Sequence, residues 1–264
     1  MMGKMLKRIY IVLVLLFMYA PMMVLITLSF NDSRSRVIWG GFTLRWYRSL
    51  FSNHAYMKAF TTTLILALVS SAIATVIGLA AAIGISVMRK RNIRIMLFFT
   101  NIPLVNADIV TGIALMLWFV RFLPLGFTSV LFAHVTFNMP YVILCILPKL
   151  ESADMCQYEA ARDLGASVGR AFMKVMLPDL YPGIISGFFL AATMSLDDFV
   201  ITYFTKGPGI NTLSTLIYGE IRKGIKPEMY ALSSILFLIV LIVLLISNIK
   251  GGSSSSSDKE IKAV

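Results

Sequence analysis

Six runs of about 20 predominantly apolar residues, joined by short polar connectors, decide what this chain can become. A run of that length crosses the hydrocarbon core of a bilayer as an α-helix, because a helix pairs its own backbone polar groups where no water can. The runs cover residues 9–30, 59–88, 95–119, 128–147, 181–204 and 229–249. With 58% hydrophobic and only 14% charged residues in 264, there is no room for a separate soluble catalytic domain. The fold class that follows is all-α: a polytopic membrane protein with six transmembrane helices.

The basic residues orient it. The first run follows Lys4, Lys7 and Arg8, exceeds a signal-peptide h-region of about 7–15 residues, and ends at Ser29–Phe30–Asn31, which is no small-x-small cleavage site. It therefore reads as an uncleaved helix with a cytoplasmic N-terminus. The turn Arg89–Lys90–Arg91–Asn92–Ile93–Arg94 is the strongest cytoplasmic marker. It outweighs Arg34, Arg36, Arg45, Arg48 and Lys58 on the outer side, since the positive-inside bias is most reliable in short loops. Both termini fall in the cytoplasm. The formal charge of +11 follows from this flanking pattern and gives no reason to expect nucleic acid as a partner.

Residues 1–58 comprise the first helix and an interfacial segment with Trp39, Phe42, Trp46 and Tyr47, rings suited to the membrane–water boundary. Residues 59–250 form the transmembrane core, whose second run is rich in small residues that let helices approach closely. The Gly/Ser-rich stretch 251–264 reads as a disordered cytoplasmic tail. Cys145 and Cys156 match neither a disulfide scaffold nor a metal site.

Residues 149–180 make the longest polar interruption of the core. They contain Glu159–Ala160–Ala161–Arg162–Asp163–Leu164–Gly165 and, further on, Leu177–Pro178. By residue type this is a short amphipathic helix stopped by glycine, then a second helix ending near the proline.

Three carboxylates lie inside apolar runs: Asp108 in the third, and Asp197 and Asp198 in the fifth. An ionisable group there costs about 2.5–3.5 kcal/mol on insertion scales, so each is a candidate for function. Neither run contains a lysine or arginine to neutralise them. Acids lining a path attract a cation, and Phe199, Tyr203, Trp118 and Tyr141 offer cation–π faces. Adjacent helical residues point about 100° apart, so Asp197 and Asp198 cannot both face one line of a path. The structural alternative is interhelical hydrogen bonding, or pairing with a partner chain.

The spacing Glu-Ala-Ala, three residues, Gly, nine residues, Val175, one residue, Leu-Pro resembles the EAA loop of ABC-importer permeases, where isoleucine is commoner at the Val175 position. Gly41–Phe42–Thr43–Leu44–Arg45–Trp46–Tyr47, Ser195–Leu196–Asp197–Asp198 and Gly207–Pro208 stand in the order seen in bacterial spermidine/putrescine permeases. The chain thus resembles the binding-protein-dependent transport inner-membrane components, with a type I (MetI-like) fold in the bacterial inner membrane. The resemblance implies that Glu159–Gly165 is a coupling helix docking in a cleft of an ATPase. Ala160 and Ala161 would allow close approach, Glu159 would anchor it and Gly165 would turn the chain, with Asp163, Leu177 and Pro178 in the same motif. It implies four kinds of neighbour: a homologous second permease, an ATPase dimer, a periplasmic or lipid-anchored binding protein delivering polyamine, and membrane lipid.

The sequence holds no G-x-x-x-x-G-K-[S/T] loop, so ATP and Mg²⁺ are expected on the separate ATPase, with no cofactor on this chain and no enzyme activity of its own. A permease for ferric ion, thiamine or a phosphonate is the nearest rival. A proton- or sodium-coupled carrier would use the acids but leaves the Glu-Ala-Ala loop unexplained. An intramembrane enzyme lacks support: His54 and His134 match no H-E-x-x-H pattern, and His134 in its apolar helix reads as a hydrogen-bonded packing residue.

Overall fold

The computed structural model describes residues 2–33, 35, 37–224 and 226–252. Arg34, Arg36 and tail residues 253–264 lie outside the described residues. The helices are α1 (Met2–Ser29), α2 (Arg45–Ser52), α3 (His54–Ser86), α4 (Lys90–Val105), α5 (Asp108–Phe122), α6 (Phe127–Glu151), α7 (Met155–Asp163), α8 (Val168–Ala171), α9 (Leu177–Asp197), α10 (Val200–Thr205), α11 (Leu213–Lys223) and α12 (Pro227–Gly252). A π turn, Phe172–Met176, joins α8 to α9. Among the described residues five helices are long and apolar enough to span a membrane, and a sixth span is counted if the bent pair α4–α5 is one.

Two compact units divide the chain: Met1–Phe60 with Leu213–Ile239, and Thr61–Thr212 with Val240–Val264. In the first, Asn31 organises the segment after α1. Its side-chain amide donates to the Ile38 carbonyl at 2.9 Å and its Oδ1 accepts from the Gly40 N–H at 2.8 Å. The Trp46 indole donates to the Asn31 carbonyl at 2.7 Å. Trp46, expected at the membrane boundary, is instead buried at 4% exposure, because its one polar atom finds a backbone partner inside the protein. Leu50, Tyr56, Ala59, Leu213, Met229 and Leu232 form this unit's core. Lys223 and Lys226 meet Glu220 at 3.0 and 3.2 Å, and these contacts hold its carboxyl below the ordinary glutamate value.

In the second unit, α3, α6 and α9 pack through Ala74, Ala82, Val135, Val142, Ile146 and Ala191. Small residues make the seams close. A Cβ on Gly78 would overlap the Val142 side chain at 2.7 Å, and one on Gly187 would stand 3.3 Å from the Val142 Cα. Where lipid gives helices no reason to associate, such close packing does.

Four expectations change. The third span is not one helix over 95–119: it breaks at Asn106–Ala107, both extended, with α4 and α5 bent by 104°. Pro103 in the last turn of α4 and the extended backbone that follows end that helix. The fifth span is not 181–204: its helix runs unbroken from Val168 to Asp197, then breaks before α10. The helix after Gly165 therefore does not end near Pro178. The π turn carries it through, with the Leu177 N–H bonded to the Phe172 carbonyl, one residue further back than in an α-helix. That wider turn accommodates a proline that has no N–H and whose ring would strike the carbonyl four residues back. At the other end, α12 continues to Gly252, two residues into the stretch read as tail.

The Gly207–Pro208 loop also has a packing reason. A Cβ on Gly207 would overlap the Leu125 carbonyl, so only glycine fits there. Gly207→Ala is expected to lower the thermal midpoint of the purified protein, by the cost of overpacking, about 1–3 kcal/mol. Gly84→Ala, in α3 where a Cβ meets nothing within 4 Å, should leave it unchanged or higher. Equal midpoints for the two variants would contradict this packing.

Candidate functional site

Most of the residues singled out above gather in two places within the second unit. The first is α7. Asp154 caps its start, accepting from the Cys156 N–H at 3.0 Å. At its end the Gly165 N–H bonds the Arg162 carbonyl at 3.0 Å and the Ala166 N–H bonds the Ala161 carbonyl at 3.1 Å. This pairing is a Schellman stop, and Gly165 takes the left-handed φ of +87° that it needs. Ser167 then caps α8, accepting from the Arg170 N–H at 3.4 Å.

Nothing in α7 is buried. Glu159, Ala160 and Asp163 are exposed and Ala161 is half-buried. Leu164, just past the helix, is 89% exposed, an apolar side chain to which the sequence reading gave no role. Leu177 and Pro178 do not share this loop; they sit in the wall of the long helix beyond the π turn.

The second place is the pair of helix breaks. Asp198 is not an interior helical residue. It stands between α9 and α10 with extended backbone (φ −61°, ψ 126°), and its carboxylate caps α10. Oδ1 accepts from the Ile201 N–H at 3.2 Å, while Oδ2 accepts from the Thr202 N–H at 2.8 Å and the Thr202 hydroxyl at 2.7 Å. The His134 Nε2 lies 3.4 Å from Oδ2.

His134 continues the chain, with Nε2 at 2.8 Å from Thr202 Oγ1, Nδ1 at 2.6 Å from Ser195 Oγ, and Ser195 Oγ at 3.1 Å from Ser70 Oγ. The carboxylate sets the proton order. Thr202 gives its hydroxyl proton to Asp198, so the Nε2–H tautomer of His134 fits, donating to Thr202. Nδ1 then accepts from Ser195, and Ser195 accepts from Ser70. Four helices, α3, α6, α9 and α10, are thereby tied through one buried line.

Ser195, His134 and Asp198 have the composition of a hydrolytic triad. At 2% and 1% exposure, however, the serine and histidine are sealed in the helix packing, where no substrate reaches them. In the sequence Ser195 stands out only as the start of Ser195–Leu196–Asp197–Asp198, and Ser70 and Thr202 carry no motif. The available signal was the polar pair His134 and Asn138, four residues apart on one face of an apolar helix.

Asp197, the last residue of α9, is exposed, whereas the Asp198 side chain is 7% exposed. Asp108 is also exposed and opens α5, where a carboxylate complements the helix dipole. It lies within electrostatic reach of Tyr141, which packs edge-to-face on Phe137 at 5.4 Å. Gly112 brings the two breaks together: a Cβ there would be 3.5 Å from the Val200 carbonyl and 3.2 Å from the Phe204 ring, so the first turns of α5 and α10 lie side by side. Tyr203 packs on Phe199 at 5.4 Å and remains 42% exposed. Trp118 is 64% exposed and packs on Phe122, away from the acids' helix ends. Beyond α10, Lys206 donates to Asn211 at 2.7 Å, and burial pushes its ammonium below the usual lysine value.

The sequence of residues 1–250 matches the family described as binding-protein-dependent transport system inner membrane component. The chain is 34% identical over 240 residues to the spermidine/putrescine transport system permease protein PotC of Escherichia coli K12, covering 90% of this chain and 91% of that one. It is 38% identical over 228 residues to the putrescine transport system permease protein PotI of the same strain, covering 83% and 81%. Among solved structures, a bacterial ABC transporter involved in import of the acidic polysaccharide alginate aligns with a TM-score of 0.68 at 15% identity, over 96% of this chain and 98% of that one. The MetNI methionine ABC transporter aligns with a TM-score of 0.60 at 18% identity, over 76% and 98%. These two likenesses are of fold.

Replacing His134 with leucine leaves Ser195 with Ser70 and Thr202 with Asp198 as their remaining side-chain partners, and removes two buried hydrogen bonds worth about 0.5–1.5 kcal/mol each. His134→Leu is expected to lower the thermal midpoint clearly, with His134→Gln recovering part of the loss. A His134→Leu protein as stable as the parent would remove this line of bonds from the account.

Proposed function

Because this chain belongs to the binding-protein-dependent transport system inner membrane component family, we propose that it forms half of the translocation path of an ATP-driven polyamine importer. It is an inner-membrane transport subunit and not an enzyme. The observation that carries the substrate is its 34–38% identity, over most of its length, to permeases for spermidine and putrescine.

On this reading α7 is the element that meets a separate ATPase. A nine-residue helix with none of its residues buried, held at both ends by caps and carrying small Ala160 and Ala161, has surface to offer a partner. Glu159 and Asp163 supply charge, and Gly165 fixes the exit angle. The helix that follows is 30 residues long and unbroken, about 45 Å at 1.5 Å per residue. A displacement of α7 by nucleotide-driven closure of an ATPase dimer would reach the Asp198 break through that rod, with Leu177 and Pro178 in its wall. From there α10 moves against α5, which is the change alternating access requires. ATP and Mg²⁺ belong to the ATPase, and this chain carries no cofactor. A homologous second permease supplies the other half of the path, and a periplasmic or lipid-anchored binding protein delivers the cargo.

For the cargo, the exposed acids Asp108 and Asp197 are the cation-attracting groups, with Tyr141 and Tyr203 as aromatic faces near them and Trp118 further along α5. Asp198 contributes differently: it holds the break that orients Asp197 and α10, and its own charge is spent on helix N–H groups and Thr202.

Glu159→Lys and Gly165→Arg are expected to abolish uptake of labelled spermidine and co-purification of the ATPase, while membrane insertion is kept. Normal uptake and co-purification in both would argue against α7 as the coupling element. Asp108→Asn and Asp197→Asn should reduce uptake about tenfold or more in a fully assembled transporter, one lost charge contact being worth about 1.4 kcal/mol or more. Asp198→Asn should instead lower assembly or stability. Transport competition against putrescine, ferric ion, thiamine and a phosphonate tests the substrate class, and uptake of one of the last three in preference to polyamines would overturn it.

A further inference from the structure

At the end of the second unit that carries α7 there is a cavity of about 740 Å³, within the range of about 300–1,000 Å³ that small-molecule sites occupy. Its walls come from the last turns of α3 and α6, the first turn of α4, and α7 with the helix that follows it. Ile85, Leu147, Met155, Phe172 and Met176 make it chiefly apolar. An apolar hollow alone identifies no occupant, but the charges around this one narrow the choice.

Ile93 lines the cavity, and one turn back on the same helix face stand Arg89, the N-cap, and Lys90, with Arg91 and Arg94 beside them. All four are exposed, and none forms an ion pair with a carboxylate among the described residues. On the facing wall Gly169 lines the cavity and its neighbour Arg170 is exposed and likewise unpaired among the described residues. Glu151 is the carboxylate in the lining. The occupant therefore needs an anionic head, an apolar body, and hydroxyls able to donate to Glu151. A free anion would leave the apolar wall unused, and a neutral lipid would leave the cations unused. α4 enters the apolar core directly from this basic turn, so membrane lipid meets the cavity at high local concentration.

We propose that this cavity binds an anionic phospholipid of the phosphatidylglycerol type. The phosphate sits among Arg89, Lys90, Arg94 and Arg170, the glycerol hydroxyls face Glu151, and the upper chains lie along Leu147, Phe172 and Met176. Basic clusters at the cytoplasmic ends of membrane helices recognise such headgroups. Bound there, the lipid fills the space between α7 and the ends of α3 and α6. That bracing of a coupling helix rests on the reading of α7 given above; the binding itself does not.

The test uses the assembled transporter with its partner subunits, stripped of lipid and offered phosphatidylglycerol, phosphatidylethanolamine or phosphatidylcholine, with retained lipid counted by native mass spectrometry. Phosphatidylglycerol should be retained in preference to the other two. The double variant Lys90→Gln/Arg94→Gln should lower that retention about 30-fold, from roughly fivefold per cation near a membrane surface. Gly169→Leu, where a Cβ meets nothing within 4 Å, should fill the cavity and lower retention equally without touching the charges. Equal retention of phosphatidylcholine, retention unchanged in the double variant, or no lipid retained because the ATPase covers the mouth would each overturn the site. Should Gly169→Leu fail to assemble, the double variant at exposed positions decides the matter. No uptake is measured, so a failed lipid site stays distinct from a failed coupling helix.

Discussion

The carboxylate of Asp198 satisfies backbone at the one point where the long fifth span stops being a helix. In hydrocarbon a free N–H costs several kcal/mol, so a span breaks only where the protein itself supplies the acceptor. Asp198 supplies it, taking the Ile201 and Thr202 N–H groups, and His134 holds the acceptor in place from another helix. The direction of α10, its contact with α5 through Gly112, and the exposure of Asp197 all follow from that arrangement. The buried line to Ser195 and Ser70 extends it across the bundle.

Much of the architecture was legible because lipid imposes it: each apolar run of the required length corresponds to helix, and the Glu159–Gly165 segment forms the short helix stopped by Gly165. What escaped notice were the breaks. Asp108 and Asp198 stand out as costly charges, and cost alone does not distinguish a cargo ligand from a helix cap. Resolving that takes the backbone angles at residues 106–108 and 197–199, which depend on tertiary packing. The π turn is likewise silent in sequence, since Pro178 reads as a terminator until the wider turn before it is seen. His134 was read as a hydrogen-bonded packing residue, but its partners lie 61 and 68 positions away and could not be named in advance.

Fold and cargo are decided at different levels. A fold neighbour of this chain is involved in importing an acidic polysaccharide, whereas its closer sequence relatives are permeases for polyamines, which are cations. The shared scaffold is set by helix length, small residues at the seams and the α7 loop. On the function proposed above, the sign of the cargo is set by the few side chains exposed where spans are interrupted. Interruptions suit this task because they place polar atoms at membrane depth while the scaffold absorbs their cost.

The π turn at Phe172–Met176 has a geometric consequence for the whole rod. Ala171 and Leu180 are both buried, at 1% and 0% exposure, yet they are nine positions apart. Nine steps of about 100° in a uniform α-helix would leave them pointing to opposite sides. Absorbing one residue in the wide turn brings them to within about 80° of each other. The turn thus acts as a phase joint: it rotates the half of the rod near α7 so that Ala171 comes to the same, protein-facing side as Leu180.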